Sequence, residues 1–279
     1  MDLQKKIDQS LRLIESAYKQ AAKERKTLEL CYSGGKDSDI TLTLAKMAGV
    51  ETRPIYKNTT IDPPGTIAHV KKKEVEIIQP KYSFLDIMKK KGIPTRYARF
   101  CCSILKEYKI EDMQLVGVRR SESTKRSRLY TEPQLCRLYD KKEYVCQTYP
   151  ILYWTEEDVK KFVERKGVEC HPLYYDEKGL FHAERRLGCM CCPLQSVSKR
   201  LEAFRQNKGM VKLYLKGAKC FLETHPNGKS YERFGNDYYK YFIANIAYEG
   251  LNSFFTNYES SLFGNDVDFE EITKSYFQL

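Results

Sequence analysis

Residues 27–38 read Thr-Leu-Glu-Leu-Cys-Tyr-Ser-Gly-Gly-Lys-Asp-Ser, an apolar run that feeds straight into a small, polar, glycine-paired turn. The order predicts a strand, an anion-binding loop and a helix start. Gly34 and Gly35 lack a Cβ and let backbone N–H groups come close to an anion. Ser33 and Ser38 add hydroxyl donors, and the new helix turns its positive end toward the same point. The expected guest is a nucleotide phosphate or pyrophosphate, held by Ser33, Gly34, Gly35, Lys36, Asp37 and Ser38. Neither Gly-x-x-x-x-Gly-Lys-Ser nor Gly-x-Gly-x-x-Gly is present at this loop.

Outward from this loop, apolar runs predict strands near 27–32, 52–58, 74–78, 113–118 and 144–149. Helices are expected near 38–48 and 83–91 and after Cys102, and Thr155-Glu-Glu-Asp158 is an N-cap signal for a helix closed by Gly167. Short apolar strands alternating with helices predict an α/β fold, a doubly wound and mostly parallel sheet covered on both faces. Ligands of such sheets bind at the carboxyl ends of the strands, where the Ser33–Ser38 loop falls. Residues 120–142 carry much charge and little periodicity and read as a loop or excursion. From Pro193 onward the pattern is helical, and the aromatic stripe Tyr238–Tyr248 reads as core of that part. The expected division is an α/β nucleotide-binding domain over 1–192 and a helical C-terminal subdomain over 193–279.

Leu3, Ile7, Leu11, Ile14 and Tyr18 recur at helical spacing among charges, so the start of the chain reads as an amphipathic helix and not as a signal peptide. No apolar run is long enough to span a membrane, and the expected setting is cytoplasmic. The formal net charge of +11 suits a polyanionic substrate or partner. Of the basic clusters, Lys71–Lys73 and Lys89–Lys91 read as solvated faces, whereas Arg119–Arg128 lies beside other candidate site residues.

Ten cysteines in such a chain point to metal ligation or redox chemistry before structural disulfides. Cys101 and Cys102 are adjacent, and Cys189, Cys191 and Cys192 follow after a long interval. Cys101, Cys102, Cys189 and Cys192 together offer four thiolates. Such a set suits zinc or a [4Fe–4S] cluster, and adjacent cysteines fit a cubane more readily than one tetrahedral ion. Cys191 competes for a ligand place. Cys31, Cys136, Cys146, Cys170 and Cys220 sit singly and read as small buried hydrophobes.

Ser-Gly-Gly-x-Asp-Ser after a strand resembles the pyrophosphate loop of the adenine-nucleotide alpha-hydrolases. The loop, Cys101-Cys102 with Lys106, Gly117-Val-Arg-Arg-Ser-Glu-Ser123, Tyr153-Trp-Thr-Glu-Glu-Asp-Val159 and Gly188-Cys-x-x-Cys192 occur in the order seen in the phosphoadenosine phosphosulfate (PAPS) reductase family. The likeness spans residues 27–195. It implies a [4Fe–4S] cluster on Cys101, Cys102, Cys189 and Cys192, and a Lys106 that links the cluster's charge to the substrate. It also implies that Arg119 and Arg120 face the nucleotide's anionic groups. The reductases of the family are similar to one another in a tail bearing a nucleophilic cysteine in a Glu-Cys-Gly-Leu/Ile-His context, whereas Cys220-Phe-Leu-Glu-Thr-His225 here reads as a helix end.

The expected function is therefore an ATP pyrophosphatase that activates a substrate for sulfur transfer. Lys36, Asp37, Arg119 and Arg120 are its candidate catalytic residues, with ATP and Mg²⁺ as cofactors. Expected partners are an adenine nucleotide, DNA or RNA as acceptor, and a sulfur-donor protein. Two rivals stand beside this reading, a phosphosulfate reductase producing sulfite and a nucleotide-sensing subunit that binds nucleic acid without turnover.

Overall fold

The run that opens at Leu28 forms β1 (Leu28–Tyr32), and four of its five residues are buried, as befits an inner strand of a covered sheet. The structure is a computed structural model and describes residues 2–139, 143–247 and 268–279. Helix α1 (Leu3–Lys23) precedes β1, and α2 (Lys36–Met47), β2 (Arg53–Lys57), α3 (Thr66–Lys72) and β3 (Glu76–Ile78) follow it. Next come α4 (Phe84–Lys91), α5 (Phe100–Leu105), β4 (Met113–Val116), α6 (Thr124–Leu129), β5 (Gln134–Tyr139), β6 (Glu143–Thr148) and α7 (Glu156–Lys166). The described chain ends in α8 (Val197–Gln206), α9 (Lys208–Thr224), α10 (Lys229–Phe234), α11 (Tyr238–Ile246) and a last helix, Phe269–Phe277.

Among the described residues, the strands form one sheet in the order β3-β2-β1-β4-β6-β5. All neighbours are parallel except β5 and β6. The expected α/β class holds. The 120–142 excursion is corrected: it contains a short turn of 3-10 helix at Arg120–Glu122, then α6 and β5. The edge strand β5 has a neighbour on one side only and leaves Leu138 69% exposed, so it needs no hydrophobic alternation. Its Cys136 lies directly across from Cys146 of β6, and the two form a disulfide. This corrects the expectation that both are separate buried hydrophobes. Residues 140–142 lie outside the described residues.

The chain divides into two compact units that do not follow the expected 1–192 and 193–279 boundary. The first takes Met1–Asn58, Pro63–Gln79 and Tyr108–Gly188, and the second takes Thr59–Asp62, Pro80–Glu107 and Cys189–Leu279. The reason is packing: α4 and α5 bury Phe84, Met88, Cys101 and Leu105 in one core with the C-terminal helices. Cys101 and Cys102 thus join the helical unit.

In the first unit α1 lays Leu3, Ile7, Ile14, Ala17 and Ala21 into the core around the sheet. Ser10 fixes it there, donating to the Pro150 carbonyl at 2.7 Å and accepting from Trp154 Nε1 at 3.2 Å. Helix α7 begins as expected with a capping box between Thr155 and Asp158, and Gly167 ends it in the left-handed region at φ 61°. A cap of this kind contributes about 1 kcal/mol. In the second unit Phe204, Tyr214 and Phe242 pack edge to face at ring separations of 4.9 to 6.2 Å. Arg200 is buried among them, with its charge shared over the carbonyls of Cys191, Asn245 and Pro94. The aromatic stripe is core, as expected: α11 buries Tyr241, Phe242, Ile243 and Ile246, and Tyr248 lies outside the described residues. Cys220 ends up near the C-terminal end of α9, with His225 at its C-cap.

Candidate functional site

At the carboxyl end of β1 the chain turns through Gly34, with φ at 76°, and α2 starts with Gly35 as N-cap. A Cβ on Gly34 would stand 3.1 Å from Thr66 Cγ2 and 3.3 Å from Leu187 Cδ2, so both backbone conformation and space require glycine here. The loop closes on itself. Ser38 N and Asp39 N both donate to the Gly35 carbonyl. Ser38 Oγ donates to the same carbonyl at 2.7 Å, so this hydroxyl shapes the loop and is not left as a donor for a guest. The first-turn N–H groups of Lys36 and Asp37 lie at the helix's positive end, where no intrahelical acceptor exists for them.

Lys36 and Arg119 flank the Asp37 carboxylate. Lys36 is 2% exposed, its Nζ lies 3.6 Å from Asp37 Oδ2, and it donates to the Arg185 carbonyl at 3.1 Å. Its pKa is held below the ordinary lysine value by burial, with Arg119 pushing the same way and Asp37 opposing. Arg119 is also buried, and its Nε donates to Asp37 Oδ1 at 2.7 Å while Nη1 donates to Ser121 Oγ. It gets there because β4 and β1 are parallel neighbours whose ends align at Val116 and Cys31. Gly117 then lets the two backbones nearly touch, since a Cβ there would come 2.7 Å from the Asp37 carbonyl oxygen. Arg120 is engaged elsewhere: Nη2 donates to the Ser127 carbonyl and the guanidinium stands 5.9 Å from the Tyr153 ring. Arg126 pairs with Glu122.

Several partners of the loop are not legible in any motif. The segment 185–187 lies against it through the Arg185 carbonyl, through Leu187 beside Gly34, and through Leu187 N, which donates to Tyr174 Oη at 3.1 Å. Tyr174 in turn lies under Lys36 Nζ at 5.1 Å from the ring centroid. Behind the loop, Asp39 is fully buried and accepts from Tyr32 Oη and from His69 Nε2, the latter at 3.0 Å. Burial pushes the Asp39 carboxyl up, and the His69 and Tyr32 contacts pull against that rise. An acid directly after the loop and a histidine thirty residues later are unremarkable in sequence until the fold brings Asp39 of α2 and His69 of α3 into hydrogen-bond contact.

In the second unit, Cys101, Cys102, Cys189, Cys192 and Lys106 line one cavity whose remaining wall includes Ile61, Phe84 and Leu105. Helix α5 begins at Phe100, ahead of the cysteine pair, not after it as expected. Cys191 does not line the cavity: it is fully buried, has φ at 52°, and its carbonyl accepts from Arg200. Burial also raises its thiol pKa to about 12. Cys102 is the more acidic member of the adjacent pair, its thiol held below the ordinary cysteine value by a hydrogen bond from Cys101. That bond and burial raise Cys101. Burial lowers Lys106, but Cys189 and Asp62 outweigh it and leave the ammonium's pKa raised. Among the described residues no three His, Cys, Asp or Glu side chains stand closely enough grouped to hold a metal ion as they lie.

The family model described as the phosphoadenosine phosphosulfate reductase domain matches residues 27–195, from the start of β1 past the second cysteine group. The chain belongs to this family. It is 29% identical over 204 residues to an uncharacterised protein of Methanocaldococcus jannaschii, covering 68% of this chain and 47% of that protein. A second uncharacterised protein of the same organism is 26% identical over 230 residues, covering 76% and 46%. The chain thus spans about half the length of these relatives. Among solved structures it is similar to the phosphate complex of phosphoadenylyl-sulfate reductase from Candida auris, with 16% identity, 63% and 87% coverage and a TM-score of 0.44. Candida glabrata FMN adenylyltransferase is similar at 12% identity, 62% and 58% coverage and a TM-score of 0.43. No described helix is long and apolar enough to cross a membrane.

Proposed function

We propose that this chain splits ATP to AMP and pyrophosphate and so activates a substrate for sulfur transfer, with nucleic acid as the acceptor. The observation that carries the reading is the Asp37 carboxylate set between Lys36 and Arg119 at the glycine bend. A loop built only to hold an anion gains nothing from a carboxylate, whereas one that holds a metal-bound polyphosphate uses it to keep the cation. Asp37 would hold Mg²⁺, which when bound draws charge from the phosphate oxygens. Lys36, Arg119 and the first-turn N–H groups of α2 would bind and orient the β- and γ-phosphates and neutralise charge on the departing pyrophosphate. A substrate oxygen forms a bond to the α-phosphorus as the bond from that phosphorus to the bridging oxygen breaks, and pyrophosphate leaves with the electron pair; sulfide then bonds to the substrate atom that bore the oxygen, and AMP leaves with that oxygen and its electron pair.

The four cysteines suit a [4Fe–4S] cluster by their chemistry: four thiols around one largely apolar cavity, with the Lys106 ammonium beside Cys189. Cys101, Cys102, Cys189 and Cys192 would hold it, and zinc is the other ion such a set takes. The cluster would supply a site for holding sulfur or a structural tie within the helical unit.

The family description favours a second reading, reduction of a phosphosulfate to sulfite by an external thiol. Anaerobically purified protein incubated with Mg²⁺–ATP, single-stranded oligonucleotide and a sulfide source should release pyrophosphate and AMP in equal amounts. Sulfite from PAPS with no pyrophosphate from ATP would establish the reductase instead. Nucleotide binding with neither product would leave a sensing subunit.

A further inference from the structure

The helical unit carries a basic groove that neither the loop nor the cysteine cavity explains. Lys229 and Arg233, one turn apart on α10, and Lys240 on α11 line it together with Tyr97, Phe234 and Tyr241. Its volume of about 630 Å³ is within the range of ligand clefts. Among the described residues no acidic side chain lines it, and Glu232, the one acid of α10, is not part of its wall. No ion pair among the described residues neutralises Lys229, Arg233 or Lys240. Aromatic rings hold two of these cations without cancelling their charge: Arg233 stands 5.2 Å from the Phe234 ring and Lys240 5.5 Å from the Phe269 ring. Tyr97 is 87% exposed, an unusual position for a large ring, while Tyr241 is pinned by the Ile93 N–H donating to its hydroxyl at 3.2 Å.

We propose that this groove binds single-stranded nucleic acid, the three cations tracking phosphates and the Tyr97 ring stacking on a base. Cations alone would suit any acidic polymer. An exposed ring beside them adds a flat apolar face that unpaired bases cover and that a duplex, with its bases already stacked, does not. The groove's role in bringing the acceptor to the enzyme rests on the function proposed above, but binding itself needs no ATP, so the two readings fail separately.

Fluorescence anisotropy of the full chain with a labelled 20-nucleotide thymidine strand, without nucleotide and across a salt series, tests it. Replacing Lys229, Arg233 and Lys240 together by Gln should flatten the slope of log affinity against log salt by about 2, at roughly 0.7 for each phosphate no longer neutralised. Tyr97→Ala should weaken binding about tenfold and leave the slope unchanged. A control variant with Lys5, Arg12 and Lys19 on α1 changed to Gln loses the same charge and should bind like the parent. Unchanged affinity and slope in a folded triple groove variant, or an equal loss in the control, would overturn the proposal. So would binding of polyglutamate as tight as that of the strand, with no effect of Tyr97→Ala, which would make the groove a contact for an acidic protein.

Discussion

Arg119 and Asp37, 82 residues apart in the chain, are joined by a hydrogen bond of 2.7 Å from guanidinium Nε to carboxylate Oδ1. The arginine is 1% exposed and the aspartate 15%, so the pair is screened from bulk water and its charges act at close range. It joins the start of α2 to the chain just past β4 and sets the charge pattern of the loop.

Asp37→Asn keeps the size of the side chain and removes its charge, leaving Lys36 and Arg119 without the carboxylate. Pyrophosphate release should fall by about 10²–10³-fold, and urea unfolding should show a loss of about 1.5–3 kcal/mol for the weakened charged hydrogen bond. Adding Arg119→Gln should restore part of that stability, because the buried cation is gone, without restoring turnover. Full turnover in the single variant would remove Asp37 from the reaction.

Gly117→Ala addresses position instead of charge. The added methyl would meet the Asp37 carbonyl at 2.7 Å, and backbone cannot swing away as a flexible side chain can. The start of α2 should shift, lowering ATP affinity measured by calorimetry at least tenfold, since displacements near 1 Å cost about that or more at a reacting centre. Gly167→Ala is the comparison, because that glycine has positive φ but no atom within 4 Å of an added Cβ. It should lower the melting temperature and leave ATP affinity as it was.

His171 supplies a pH dependence. Its Nδ1 accepts from Leu173 N at 3.1 Å, so the neutral ring carries its proton on Nε2, facing Thr66 Oγ1. Burial, reinforced by the neighbouring His69, depresses its pKa below the ordinary 6.5, with Asp39 opposing. A histidine held neutral in the fold binds fewer protons than in the unfolded chain. Its contribution is therefore complete above pH 6.5 and is lost as pH falls from there through the folded value. The melting temperature should drop between pH 8 and pH 5.5, and His171→Gln should drop less steeply over the same interval. Equal slopes in parent and variant would refute this assignment.

The cysteine cavity separates two adjacent residues. After anaerobic purification the protein should contain about four iron and four sulfide per chain, as a [4Fe–4S] cluster requires. Cys192→Ser should lose them. Cys191→Ala should keep them while unfolding at lower urea, because Cys191 packs in the core and not on the cavity wall. Stoichiometric zinc without sulfide would replace the cluster by the other ion this donor set takes.

The parts of this protein that are legible in sequence are those whose physics is local. A strand followed by paired glycines and a helix start needs only neighbours along the chain, and the loop at Ser33–Ser38 forms where it is expected. The same holds for α7, whose start depends on Thr155 and Asp158 three residues apart and whose end depends on a glycine that takes a positive φ. Edge strand β5 is not legible, because it is largely exposed, Leu138 by 69%, so little burial enforces alternation, and its partner β6 is what makes it a strand.

Sequence alone thus determined the kinds of groups present: a glycine-paired loop with a carboxylate in it, two separated thiol groups, and an excess of positive charge. Tertiary structure alone decided which of them meet. It buried Lys36 against the Arg185 carbonyl 149 residues away, brought Arg119 but not Arg120 to Asp37, and gave Cys192 the cavity wall while packing Cys191 in the core. The reason is that adjacent residues share composition and spacing but point in different directions once the backbone is set. Direction, burial and long-range partners are properties of packing, and no local pattern carries them.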